Sequence, residues 1–160
     1  MIRLTLLLLL CSISGCVSVS VDALPDNASE IDFSETVDST TGWRTGEKSH
    51  TFYNTGGELV FAAAKAALVH EDYDVTTASL MDGVVFGERG MTAMKYNMVS
   101  GIYLNQLATE TQTRIIVKGS IDLTQPTPNY SLDNEARKLL NAMHLYIDAE
   151  LDAEPDSASQ

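Results

Sequence analysis

The run Arg114-Ile115-Ile116-Val117-Lys118-Gly119-Ser120-Ile121-Asp122-Leu123 carries the clearest structural signal in this chain. Ile115, Val117, Ile121 and Leu123 fall on one side of an extended chain, and Arg114, Lys118, Ser120 and Asp122 fall on the other. Successive side chains of a strand point to opposite faces, so this period of two specifies a strand with one buried face. The same period runs upstream, where Met94, Tyr96, Met98, Ile102 and Leu104 alternate with Lys95, Asn97 and Asn105. Met91, Met94 and Met98 also fit helical spacing, but Ser100-Gly101 and Tyr103 decide for a strand. Ala108–Gln112 between the two is a polar turn.

Working outward, Lys48–Tyr53 reads as a short strand. Thr55 with Glu58 forms a capping box ahead of Leu59–His70, whose alanine-rich and almost wholly apolar composition predicts a helix buried over a wide face. Tyr73–Ser79 is a strand with Tyr73 and Val75 inward, and Asp82-Gly83 is a two-residue hairpin signal leading into Val84–Arg89. After Pro126 and Pro128, Ser131 caps a helix in which Leu132, Ala136, Leu139, Leu140, Met143, Ile147 and Leu151 form one stripe. Glu135, Arg137, Lys138, Asn141 and His144 lie off it. The order is β-α-β-β-β-β-α. Each apolar stripe needs a partner, so the expected fold is α+β: an antiparallel sheet of four to five strands with two helices packed on one face.

Ahead of this domain, Arg3 is followed by an apolar run from Leu4 to Leu10 and then by Ile13-Ser14-Gly15-Cys16. A spanning helix needs ~20 apolar residues, and a run half that long reads as the h-region of a secretion signal. The last four residues resemble the lipobox of bacterial lipoproteins. That resemblance implies cleavage before Cys16 and acyl chains on its sulfur and its new amino terminus, so Cys16 is the expected lipidation site. Val17, where the family's inner-membrane proteins tend to carry Asp, implies the outer membrane, facing the periplasm. Cys11 lies in the removed segment, so the mature domain has no cysteine available for a disulfide.

The expected organisation is a signal peptide over 1–15, lipidated Cys16 and an acidic tether over 16–47, an α+β domain over 48–151, and a disordered acidic tail over 152–160. The tether carries Asp22, Asp26, Glu30, Asp32, Glu35 and Asp38 against Arg44, and its sparse, aperiodic apolar residues predict too little burial to offset the entropy of ordering. As a coil it would span roughly 30 Å, and ~100 Å fully extended. Trp43, between Gly42 and Gly46, is the exception, a point where the chain docks on the domain. The whole chain carries a net charge of −12, and removing 1–15 takes away Arg3 and no acid. Such a charge argues against nucleic acid, which needs Lys and Arg to neutralise phosphate, and against lying flat on anionic lipid.

No catalytic set emerges. His50, His70 and His144 have no metal-ligand spacing, and His70 suits the cation-favouring end of its helix. Ser49, Ser79, Ser100, Ser120 and Ser131 lack the flanking glycines of a nucleophile elbow. Gly83, Gly87 and Gly90 are unevenly spaced for a phosphate cradle. Glu71-Asp72 are adjacent and diverge. Met91, Met94 and Met98 suit Cu(I) thioether ligation, but methionine equally fills cores and interfaces, and that is the preferred reading. Catalytic residues, cofactor and metal ligands are therefore all expected to be none. Residues 48–151 resemble, in pattern alone, the helix-on-sheet domains of small accessory lipoproteins of the outer-membrane β-barrel assembly machinery. The function expected is a non-enzymatic, membrane-anchored envelope lipoprotein that binds another envelope protein, with Tyr53, Tyr96, Tyr103 and Tyr130 available for contact. The alternative is a carrier of a small apolar ligand between sheet and helices, where Ala62, Ala63, Ala66 and Ala67 leave room.

Overall fold

The computed structural model describes residues 19–37, 45–90, 97–119 and 131–153. It has the expected α+β architecture. Strands β1 (Thr45–Tyr53), β2 (Asp74–Ser79), β3 (Val84–Arg89), β4 (Met98–Gln106) and β5 (Glu110–Gly119) form one antiparallel sheet in the order β1-β5-β4-β3-β2. Helix α1 (Gly57–His70) carries the chain from β1 at one edge to β2 at the other, and the meander β2-β3-β4-β5 returns it to β1. Helix α2 (Leu132–Ala153) then lies over β1 and β5 and packs against α1, which covers β2, β3 and β4. Arg114–Leu123 is strand as far as Gly119, and the remainder lies outside the described residues.

One continuous core fills the space between sheet and helices. Val60, Ala63, Ala64, Ala67 and Leu68 of α1 meet Leu139, Met143 and Ile147 of α2 and Met98, Ile102, Ile115 and Val117 of the sheet. Gly46 lets α2 approach β1: a Cβ there would collide with the Leu132 backbone. The α2 stripe is as expected at Leu132, Ala136, Leu139, Met143 and Ile147, but Leu140 is only partly buried and Leu151 is half exposed. Glu135, read as a surface residue, is buried. The cause is a partner: Arg89 reaches it from β3 at 3.1 Å. The capping box is replaced by backbone bonds, since Leu59 and Val60 N–H groups donate to the Gly56 carbonyl while the Thr55 hydroxyl turns to the Tyr53 carbonyl. Helix α2 extends through Asp152 and Ala153, which the sequence assigns to the tail.

The largest departure concerns the segment read as a tether. Val19–Val37 lies along the sheet face opposite the helices. Leu24, Val19, Val21, Ala28, Ile31 and Phe33 cover Val84, Phe86, Val99, Tyr103 and Ile116, a second core behind the sheet. Single 3-10 turns at Val21–Ala23 and Ala28–Glu30 are capped by Ser20 and Asn27 side chains. The strap starts where the Val21 N–H meets Glu88, with the Lys118 ammonium on the Ala23 carbonyl. It continues past Tyr103, whose hydroxyl donates to the Pro25 carbonyl at 2.9 Å, and reaches the far end of the sheet where the Ala28 N–H meets the Asp82 carbonyl. It then turns back across β5, where the Arg114 guanidinium donates to the Asp32 and Glu35 carbonyls at 2.6 Å and pairs with Glu47. Finally Val37 exchanges bonds with Ser49 of β1. Ordering the strap is compensated because β3, β4 and β5 are apolar on both faces, and the second face must also be taken from water. Trp43, the expected docking point, lies outside the described residues.

Candidate functional site

The ends of the sheet differ. At one end stand the C-termini of β1, β2 and β4, the start of α1, and the turns that join β2 to β3 and β4 to β5. Large apolar side chains are exposed there among polar ones: Met81 is 92% exposed and Tyr53 71%, with Leu80 and Leu107, beside Asn54, Asp82 and Gln106. Leu80 and Met81 edge an open groove of about 670 Å³ whose wall includes Ile31 and Phe33 of the strap and Leu104 of β4, with Asn27, Ser29, Asp82, Asn105 and Gln106 as polar groups. The turn that presents Leu80 and Met81 spans Leu80–Gly83 rather than the two residues Asp82-Gly83. It is rigidly held. Gly83 adopts φ +66°, Ser79 and Asp82 side chains bond each other, the Leu104 N–H donates to the Gly83 carbonyl, and the strap bonds Asp82. Exposed apolar side chains on a fixed turn are suited to contact with another macromolecule.

The opposite end is polar and knotted by Arg89. Its guanidinium donates to the Glu71 carbonyl at 3.0 Å and to Glu135, lies 3.1 Å from the Met98 sulfur, and sits 4.7 Å from the Tyr73 ring centre. The second Glu135 oxygen accepts from Lys138 at 2.7 Å. Burial alone would raise the Glu135 pKa; the Lys138 hydrogen bond and the Arg89 charge outweigh it and hold the carboxyl below its ordinary value. A carboxylate with both oxygens taken and its proton lost is a structural tie between α2, β3 and α1, not a general acid.

The tertiary fold also brings together two histidines that the sequence keeps apart. His50 of β1 and His144 of α2 stack edge to face at 4.6 Å between ring centres, beside Phe52. Burial, and then repulsion from His144, lower the His50 pKa below 6.5. Among the described residues no three His, Cys, Asp or Glu side chains are grouped to hold a metal ion. His70 is the last residue of α1 and its ring bonds the Glu71 carboxylate rather than the helix carbonyls, while Asp72 adopts a left-handed conformation.

Of the tyrosines expected at a surface, Tyr53 is exposed, but Tyr103 is fully buried under the strap, and burial pushes its hydroxyl pKa up. Tyr96 and Tyr130 lie outside the described residues, as do Cys16, Met91 and Met94. Met98 is core, packed in the helix–sheet layer. The apolar end went unread in the sequence because the pair Leu80-Met81 and the lone Leu107 sit in short turns far apart in the chain; the signal available was that turns are ordinarily polar.

The class defined here is an α+β domain with an antiparallel sheet covered on both faces. No protein-family model matches the chain, and no curated protein does either. Solved structures with partly similar backbones include TTHA0849 from Thermus thermophilus, at 10% identity and TM-score 0.42 over 66% of this chain and 98% of that one. Ara h 8.0201 aligns at 11% identity and TM-score 0.42, over 71% of this chain and 100% of its own. The Zhui aromatase/cyclase from Streptomyces sp. R1128 aligns at 14% identity and TM-score 0.29, over 68% and 90%.

Proposed function

We propose that this protein is a non-enzymatic envelope lipoprotein, anchored through acylated Cys16 in the outer membrane on its periplasmic side, whose domain binds another envelope protein. The carrying observation is the order Arg3, apolar Leu4–Leu10, then Ile13-Ser14-Gly15-Cys16, in a chain whose only other cysteine, Cys11, precedes the cleavage point. Several acyl chains anchor stably, where a single one binds only marginally. The exposed apolar end around Tyr53, Leu80, Met81 and Leu107 supports the partner role.

The test is growth with a labelled fatty acid, comparing the wild type with Cys16→Ser. Label is expected in the wild type only; equal label in both overturns the reading. Pull-down from detergent-solubilised envelope with wild type and Met81→Asp then tests the contact, and a partner recovered equally by both places it elsewhere.

Carriage of a small apolar ligand between sheet and helices is the less favoured reading. Of the alanines expected to leave room, Ala63 and Ala67 are buried within the same continuous cluster as Leu68, Met98, Ile102, Leu139 and Met143. The 670 Å³ groove opens at the end of the sheet instead.

A further inference from the structure

We propose that the groove edged by Leu80 and Met81 takes an extended, basic-amphipathic segment of a partner protein. Its apolar side chains would lie against Ile31, Phe33, Leu80, Met81 and Leu104, and its Lys or Arg side chains against the carboxylates around the rim. This deepens the partner role proposed above and rests on it. The apolar wall alone would suit any greasy segment; the charge around it selects among them. Asp82 is in the wall, Glu30 follows Ser29 of the wall, Glu58 follows Gly57 of the wall, and all three are exposed. Glu110 starts β5 at the same end. Residues 27–35, 53–60, 79–83 and 104–112, which build this end, contain no Lys or Arg. Arg114, which reaches the strap at Asp32 and Glu35, is buried and paired with Glu47. The opposite end carries the acids Glu71, Asp72, Asp74 and Glu88, but Arg89, Lys118, Arg137 and Lys138 stand among them. Among the described residues, the apolar end is therefore the one whose charge has a single sign.

An extended chain turns successive side chains to opposite sides, so alternating apolar and basic residues would meet the wall and the rim in turn. The groove also holds a hydrogen-bonding group for the backbone of such a segment. The Gln106 side chain lies against Gly57, where a Cβ would strike it, and its amide has no hydrogen bond to a described residue. The Asn27 and Asn105 amides are instead engaged with Glu30 and Gln112 and fix the wall. With the turn held by Gly83 and the strap, little ordering entropy is lost when the groove is filled. An acidic segment would meet like charge, and a wholly apolar one would leave the rim carboxylates unmatched.

The probe is a short fluorescein-labelled peptide of alternating lysine and leucine, titrated by fluorescence anisotropy with the chain from residue 16 carrying Cys16→Ser, which keeps every described residue. It should bind at least about tenfold more tightly than the same peptide with leucine replaced by serine, or with lysine replaced by glutamate. Met81→Ser, on the exposed turn, should weaken binding about five- to tenfold. The pair Glu30→Gln, Glu58→Gln should weaken it about fivefold at ~50 mM salt and little at ~500 mM. Asp74→Asn, an exposed acid at the other end, should leave it unchanged. All these positions are exposed, so each variant should keep the wild-type melting temperature. Equal binding of the three peptides, no binding, indifference to Met81→Ser, or a loss from Asp74→Asn equal to that from the glutamate pair each overturns the basic-amphipathic assignment. If acylation and Met81-dependent capture of a partner persist beside such a result, the lipoprotein reading stands with a partner of other chemistry. Absence of acyl label overturns that reading and leaves peptide binding by the soluble chain as it was measured.

Discussion

Ile116→Ala separates a strap from a tether most directly. Ile116 is on β5, between β1 and β4, on the face away from the helices, and is 7% exposed because the strap lies over it. Truncating a buried isoleucine costs about 2–5 kcal/mol, the transfer of the lost methyl and methylene groups plus the cavity left behind. With an m-value of ~2 kcal/mol/M, the urea midpoint should fall by roughly 1–2.5 M. The assay is urea unfolding followed by far-UV circular dichroism, on unacylated Cys16→Ser protein lacking residues 1–15. The same substitution is then made in a chain beginning at Asp38. There residue 116 faces water, and the substitution should cost no more than about 0.5 kcal/mol. That shorter chain should itself be destabilised, since it uncovers Val84, Phe86, Val99 and Tyr103 and takes the Asp32 and Glu35 carbonyls from Arg114. Equal midpoint shifts in the two backgrounds would refute the reasoning, because the strap would then contribute nothing to the burial of Ile116. If the shorter chain does not fold, the partner substitution Phe33→Asp in the full strap replaces it.

Leu139→Ala should cost about 2–5 kcal/mol and Leu140→Ala distinctly less, since Leu139 is fully buried and Leu140 only partly; equal losses in denaturant would contradict the packing of α2. Glu135→Ala should cost about 3–5 kcal/mol by leaving Arg89 buried without its carboxylate, and the double variant Arg89→Met, Glu135→Leu should recover most of it. Because the His50 pKa is lowered, the unfolded chain binds its proton more readily than the native one. Stability is therefore full above pH 6.5 and falls as the pH drops through the native value, and His50→Phe should flatten that part of the Tm-against-pH curve; an unchanged slope would remove the His50–His144 pair as its cause.

The period-two alternation around Ile115 and Val117 and the three-and-four stripe from Leu132 to Ile147 were enough for the β-α-β-β-β-β-α order and for most of the inner core. Both are local signals: backbone geometry alone decides which side chains share a face. The fate of Val19–Val37 was not local. Its apolar residues are too sparse and irregular to predict order, and they become ordered because Val84, Phe86, Val99, Tyr103 and Ile116 form an apolar face that no other described segment covers. The period of two was read as a single buried face, and the burial of the second face depends on contacts across tens of residues, such as Tyr103 with Pro25 and Arg114 with Asp32. The same holds for Glu135, polar by type yet buried by Arg89, and for His50 and His144, which meet only when α2 lies across β1. Local pattern was enough for the order of strands and helices, for the single sheet with its two helices, and for the lipobox-like motif at Cys16. That the acidic segment is a strap, and that apolar turn residues gather at one end of the sheet, follows from long-range contact, because burial belongs to pairs of surfaces and a sequence pattern describes only one of them.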